Sequence, residues 1–498
     1  MSSASPATAG PTRRFDPRWL PLSVTTIGAF MSLLDSTIVN IALPDILKDF
    51  HSGLGNGQLV LTVYLLALAL VIPLSGFLSD RVGMKRLYII TLILFTAGSA
   101  LCGMAWNLPS LIVFRAMQGL GGGMLQPLGQ AIVFTLITPR ERGYFMGLLG
   151  LPSLLAPILG PTLGGFLVEY SSWRMIFLIN VPIGAINVFL ALRLLKETPL
   201  RPEARLDRLG LMLSALAFPC ILVALSDGGS IGWESAWILG PVVIGVLALF
   251  AFIRVELAKG DPLLKIGLFK NRMFSLGMII IFVTQFALFG VQYLLPIFLQ
   301  TAHGMSPAKA GLVLLPSGFV SFIAIYYGGR FYNRFGPKPL SILGMIVLLV
   351  TTLALSRISE TTSPIIIAAL ASSRGIGVGL SVIPINTMAY NTVVQADMPR
   401  ATALVNVLFR VFGSIATAIL TAVLVASLGW HGAPAGASIT DGTAPVHFMV
   451  KAFSDGFLVM AGFSVIGLVL SFFVRDRVLD EPFEERTATA QSREPIEA

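Results

Sequence analysis

Four charged side chains lie deep in apolar stretches of this 498-residue chain: Asp35, Arg115, Arg374 and Arg410. A charge near the centre of a bilayer costs at least ~2.5–3.5 kcal/mol on insertion scales, so it is seldom kept without a partner or a task. Asp35 stands in the run Leu34-Asp35-Ser36-Thr37-Ile38-Val39-Asn40-Ile41-Ala42-Leu43-Pro44 and is the one deep carboxylate. Its chemistry would be the carriage of a proton or a cation. All four histidines (His51, His303, His431, His447) fall in expected outside loops, so none is a mid-membrane relay. Asp80, Glu141, Asp207, Asp261 and Asp397 fall in loops, and Glu169, Asp227, Glu256 and Asp455 near helix ends. Cys102 and Cys220 sit within apolar stretches and imply neither a disulfide nor a metal framework. No cofactor and no metal site is expected.

The elements that must hold these charges are membrane helices. The chain is 55% hydrophobic and only 12% charged, against roughly 25% charged in soluble domains, and its mean hydropathy is +0.84. Too little polar surface exists to coat a water-soluble globule. Stretches near the length of a spanning helix occur at 20–42, 59–78, 87–105, 108–134, 144–168, 175–195, 209–226, 236–255, 274–299, 310–328, 339–356, 364–388, 401–428 and 453–474. The expectation is an all-α polytopic protein of about fourteen spans. About 26 Lys and Arg fall in alternate segments that would be inside, against about 5 outside, which places both termini in the cytoplasm. The same dispersal argues against nucleic acid as a partner, despite a net charge of +9. The lipid bilayer of the cell (cytoplasmic or inner) membrane is the expected location.

Echoes recur about 252 positions apart. Leu43-Pro44 matches Leu295-Pro296, and Gly76 matches Gly328 in a Gly-and-basic run ending at Lys338. Two related halves at 20–208 and 274–474 are therefore expected. Between them lie an inserted transmembrane hairpin at 209–256 and a cytoplasmic linker at 257–273. The linker either follows the membrane surface or is an ordinary amphipathic connection. Residues 1–19 and 475–498 read as disordered cytoplasmic ends, and Gly432–Thr443 as an outside loop.

Several runs resemble the major facilitator superfamily, and within it the fourteen-helix drug:proton antiporters of the EmrB/QacA type. Gly76-Phe77-Leu78-Ser79-Asp80-Arg81-Val82-Gly83-Met84-Lys85-Arg86 is similar to the superfamily signature between helices two and three, departing from it at Ser79 and Met84. Gly76 and Gly83 permit close approach and a tight turn; Asp80 and Arg81 can pair and cap helix ends as a latch, with Lys85 and Arg86 beside them. Arg115-Ala116-Met117-Gln118-Gly119 is similar to the fourth-helix motif, and Gly160-Pro161-Thr162-Leu163-Gly164-Gly165 to the fifth-helix motif of exporters. Trp173-Arg174 with Phe177, Asn180, Pro182 and Gly184 resembles the subfamily's sixth helix.

The resemblance implies proton-coupled export of lipophilic or cationic small molecules, with no enzymatic step, by a chain that functions as a monomer. The alternative is export or flipping of a lipid or lipid-like metabolite. In that fold helices one and four line a central cavity. Asp35 and Arg115 each lie about seven residues from an outer helix end, ~10 Å deep at ~1.5 Å per residue, and so can meet as a proton-coupling pair. Phe30, Met31, Gln118, Gln126, Gln285, Phe289, Gln292, Tyr293, Asn386 and Met388 are candidates for an adaptable substrate cavity. Arg374 and Arg410 are each candidates for substrate contact, although Arg410, beside Asn406 and Gly413, reads first as a packing or gating residue. An ATP-driven pump is disfavoured because no Lys is followed by Ser or Thr, so no phosphate loop of the G-x-x-x-x-G-K-[ST] kind is present.

Overall fold

In lipid, a backbone can satisfy its polar groups without water only as a helix or a closed barrel. In the computed structural model of this chain every described apolar run is helical. The structure describes residues 19–475 except 53, 140, 201–202, 204–205, 233, 261, 435–438 and 440–443, and it leaves aside the side chains of 54–58, 153–154, 157–158, 161–162, 226–227, 229–231 and 307–308. The expected disordered ends and most of the Gly432–Thr443 loop lie outside the described residues.

One bundle comprises α1 (Trp19–Asp49), α2 (Leu54–Val71), α3 (Leu74–Val82), α4 (Met84–Gly103), α5 (Leu108–Leu136), α6 (Arg142–Tyr170), α7 (Met175–Leu178) and α8 (Asn180–Leu194). A hairpin follows, α9 (Arg208–Ile231) and α10 (Ala236–Ala258). The second bundle comprises α11 (Arg272–Thr301), α12 (Pro307–Phe335), α13 (Pro337–Leu355), α14 (Pro364–Asn391), α15 (Met398–Trp430) and α16 (Val446–Ser471).

Among the described residues, eleven stretches can cross a membrane by length and apolarity, or twelve if the pair α2–α3, bent by 56°, is one span. The sequence-based figure of fourteen is higher. Helix α5, diluted by Arg115, three glutamines and a glycine run, falls short of that apolarity. Helix α6 is 29 residues long, and some of its side chains lie outside the described set. If all fourteen stretches cross, reporters fused after residue 200 and at the C-terminus will report the same side of the membrane. Opposite sides would remove an odd number of spans and break the assignment.

Small residues set how closely these helices pack. A Cβ on Gly121 would stand 2.6 Å from the Thr91 carbonyl oxygen, and one on Gly123 2.7 Å from that of Leu68. Helix α5 is thus clamped between α4 and α2, which fixes the depth of Arg115. The turn from α3 to α4 is made by Gly83 at φ +94°, and the turn from α12 to α13 by Gly336 at φ +77°. Both need the left-handed backbone that glycine adopts without a Cβ clash, so the internal echo seen in the sequence is also an echo in conformation.

The hairpin leans on both bundles, with α9 against α2 and α15. Asp207 caps α9 by accepting from the Gly210 amide at 2.7 Å and pairs with Lys259. The linker beyond α10 is pinned rather than loose. Glu256 accepts from the Leu264 amide at 3.0 Å, while Leu263 is buried against Phe77.

Candidate functional site

Two polar centres stand out, and they are separate. The first surrounds Asp35, which is wholly buried, as are Arg115 and Gln118. Arg115 and Gln118 lie one turn apart on α5 and so share a face. Arg115 Nη1 donates to Asp35 Oδ2 at 2.5 Å and to Gln118 Oε1 at 2.7 Å. Gln118 Nε2 donates to Asp35 Oδ1 at 2.8 Å and to Ser99 Oγ at 2.9 Å. Asn180, the first residue of α8, donates to the same Oδ1 at 3.1 Å and to Ser99 at 3.0 Å. Arg115 Nε reaches the Val60 carbonyl at 3.3 Å, and its guanidinium lies 3.9 Å from the centre of the Tyr64 ring.

Both carboxylate oxygens are therefore bonded, and the charge is balanced. An ion pair this deep persists only when its remaining donors and acceptors are also satisfied. The meeting of Asp35 and Arg115 follows the depth expected from sequence. Ser99 had no signal, and Asn180 had only its place in a motif. Gln118, expected at the substrate cavity, belongs to this network instead.

The second centre is a cavity of about 330 Å³ between the bundles, at the lower end of the usual range for small-molecule sites. Of the expected cavity residues, Gln126, Gln285, Phe289, Gln292 and Asn386 line it. Gln130, Tyr390, Asn406 and Phe409 join them, together with Leu33, Ser36 and Thr37 of α1. Arg410, first read as a packing or gating residue, also lines it. Met31 is instead packed in the core of the first bundle and Met388 beneath Gly277. Phe30 is not a lining residue, and neither is Tyr293, whose hydroxyl accepts from Thr421 at 2.9 Å. Arg374 is buried in α14 and is not among the lining residues, and its Nε and Nη2 have no hydrogen-bond partner among the described residues.

Helix α6 forms one wall. Gly160 lies against Thr37, and a Cβ on Gly164 would stand 2.9 Å from Ile38 Cγ1, so the exporter-like motif seats α6 on α1. Gly165 faces open space, and the Pro161 side chain lies outside the described set.

Below the cavity, at the end carrying the basic loops, the bundles are bound together. Arg400 at the start of α15 donates to Asp80 at 2.9 Å, and both are buried. A Cβ on Gly76 would stand 2.7 Å from Arg400 Cγ, so the glycine makes room for this contact. Asp80 thus latches across the bundles, beyond the local pairing with Arg81 read from sequence. Arg81 is exposed at the end of α3. Lys85 donates to the Leu192 carbonyl at 2.9 Å, and Arg86 pairs with Glu197 at 3.5 Å, so these two tie α4 to the end of α8 and to the segment after it. Arg142 donates to the Tyr390 carbonyl at 2.7 Å and Gln395 to that of Phe134 at 2.8 Å, while at the cavity lining itself Asn406 donates to Gln130 at 2.9 Å.

Residues 25–418 match the Major Facilitator Superfamily. The chain belongs to that superfamily. Its superfamily relatives include the lincomycin resistance protein LmrB of Listeria monocytogenes, 30% identical over 90% of this chain and 95% of that one. The multidrug transporter protein MdtP of Bacillus subtilis is 35% identical over 75% of this chain and 69% of its own length. The crystal structure of the human organic anion transporter MFSD10 shares the fold at TM-score 0.62, covering 92% of this chain and all of that one at 15% identity. This superfamily member is a multi-pass membrane transporter and not an enzyme.

Proposed function

We propose that the chain exports lipophilic small molecules from the cytoplasm in exchange for protons, as a multidrug efflux transporter of the cell membrane working as a monomer. The observation that carries this reading is the pair of separate centres. A sealed carboxylate sits in one bundle, where it can bind or release a proton, and a mostly apolar cavity lies between the bundles, where a ligand fits. The Asp80–Arg400 latch gives the cavity a gate at the cytoplasmic end, if the basic loops face inward as the positive-inside rule requires. Multidrug and lincomycin resistance among the relatives supports efflux.

Such an exchanger will accumulate a lipophilic fluorophore against its gradient when a pH gradient is imposed across proteoliposomes. A protonophore will abolish that accumulation and leave counterflow of preloaded ligand intact. Lipid flipping with no ligand-stimulated proton movement would instead favour a lipid or lipid-like substrate.

A further inference from the structure

The charge inside the cavity points to the kind of molecule it takes. Arg410 is the one charged side chain among the described lining residues, and amides (Gln126, Gln285, Gln292 and Asn386) line the same cavity with Phe289. No described carboxylate lines the cavity, and no described acid pairs with Arg410. The deep carboxylate cannot serve from a distance, because both oxygens of Asp35 are already held by Arg115, Gln118 and Asn180.

A guanidinium keeps its proton under all ordinary conditions and offers five donors in a planar fork. Facing a low-dielectric cavity with no counter-charge, it attracts an acceptor and repels a cation. Amide groups of the same cavity can turn their N–H toward a bound anion's oxygens, while Phe289 and the aliphatic walls accept an apolar body.

We propose that Arg410 is the substrate-anchoring residue and that the preferred substrate is an amphiphile with an anionic headgroup (carboxylate, sulfonate or phosphate) on an apolar body. This departs from the cationic side of the lipophilic-or-cationic expectation that the family resemblance implied. It rests on the reading of the inter-bundle cavity as the substrate site, and the test separates the two.

Three probes would share one dansyl fluorophore and linker and end in a carboxylate, a carboxamide or a trimethylammonium. Their binding to purified protein in neutral detergent, without any proton gradient, is read by fluorescence. The wild type will bind the carboxylate tightest and the ammonium weakest. Arg410→Gln will weaken the carboxylate by about 10- to 100-fold, as expected for loss of a charge-assisted contact, and leave the carboxamide within about twofold. Arg410→Lys will retain part of the preference, because the charge survives and the fork does not. A dodecyl phosphate competitor will displace the carboxylate probe, and vesicles of phosphatidylglycerol will not if the anion is a free solute rather than a membrane lipid.

A wild type that binds the ammonium at least as tightly as the carboxylate overturns the headgroup assignment. That ranking stands even if Arg410→Gln fails to fold. Phe289→Ala weakening all three probes alike, with Arg410→Gln leaving their order unchanged, keeps the cavity and removes the anion. If Phe289→Ala changes none of the three, or none binds the wild type, the cavity itself is not the binding place and both readings fall.

Discussion

Asp35→Asn will abolish accumulation driven by a pH gradient in proteoliposomes while counterflow of ligand continues. Asparagine keeps the shape of the side chain and removes the deep carboxylate. It also strands Arg115, which is wholly buried. Losing one partner of a buried pair costs about 3–5 kcal/mol, so the single variant will be less stable as well as uncoupled. Asp35→Asn combined with Arg115→Gln removes both charges and recovers much of that stability. Thermal melting of the detergent-solubilised protein will show the recovery, and uphill transport will stay absent. That contrast separates a proton site from a structural pair. Accumulation at the wild-type level by Asp35→Asn would end the assignment, because the other acids lie in loops or near helix ends.

The second large effect concerns the Asp80–Arg400 latch. Asp80→Asn leaves Arg400 buried beside a neutral amide, which weakens the closed arrangement of the two bundles. A buried-pair penalty of about 3–5 kcal/mol corresponds to a shift of roughly 10²–10³-fold or more in a two-state equilibrium. Efflux rates will fall at least about 10-fold by that arithmetic, while ligand affinity stays within about twofold, because neither residue lines the cavity. The exchange Asp80→Arg with Arg400→Asp will restore part of the rate. Ligand binding that collapses in Asp80→Asn while switching proceeds normally would show that the loop belongs to recognition and not to gating.

Much of the fold was legible because a spanning helix needs only length and apolarity. The depth of Asp35 and Arg115 followed from the same counting. Facing direction was another matter. In a soluble helix the apolar stripe marks the buried side, but a membrane helix is apolar toward both lipid and protein. Met31 and Met388 therefore looked equally fit for cavity or core, and both proved to be core. Gln118 carried a usable clue, three residues from Arg115 and so on the same face. Arg400 carried none. It reads locally as an inside-loop charge, and its partner Asp80 lies 320 positions away. Ser99, an ordinary small residue of α4, became informative only when α5 and α8 closed over it.

Every hydrogen-bond partner of Asp35 comes from its own bundle: Arg115 and Gln118 from α5, and Asn180 from α8. Rotating a solid body changes no distance inside it. Rocking one bundle against the other can open and close the cavity and still leave these bonds as they are. On the proposed function, proton exchange at Asp35 would call for a second motion, a flexing within the first bundle that loosens those bonds. The helical path runs on through Ile179 between α7 and α8, and the Ser99 hydroxyl of α4 donates to the Phe177 carbonyl at 3.0 Å, so such a flexing would shift α4 against α7 and α8. The transporter then has two clocks, one for the ligand and one for the proton, and the slower of them sets the turnover.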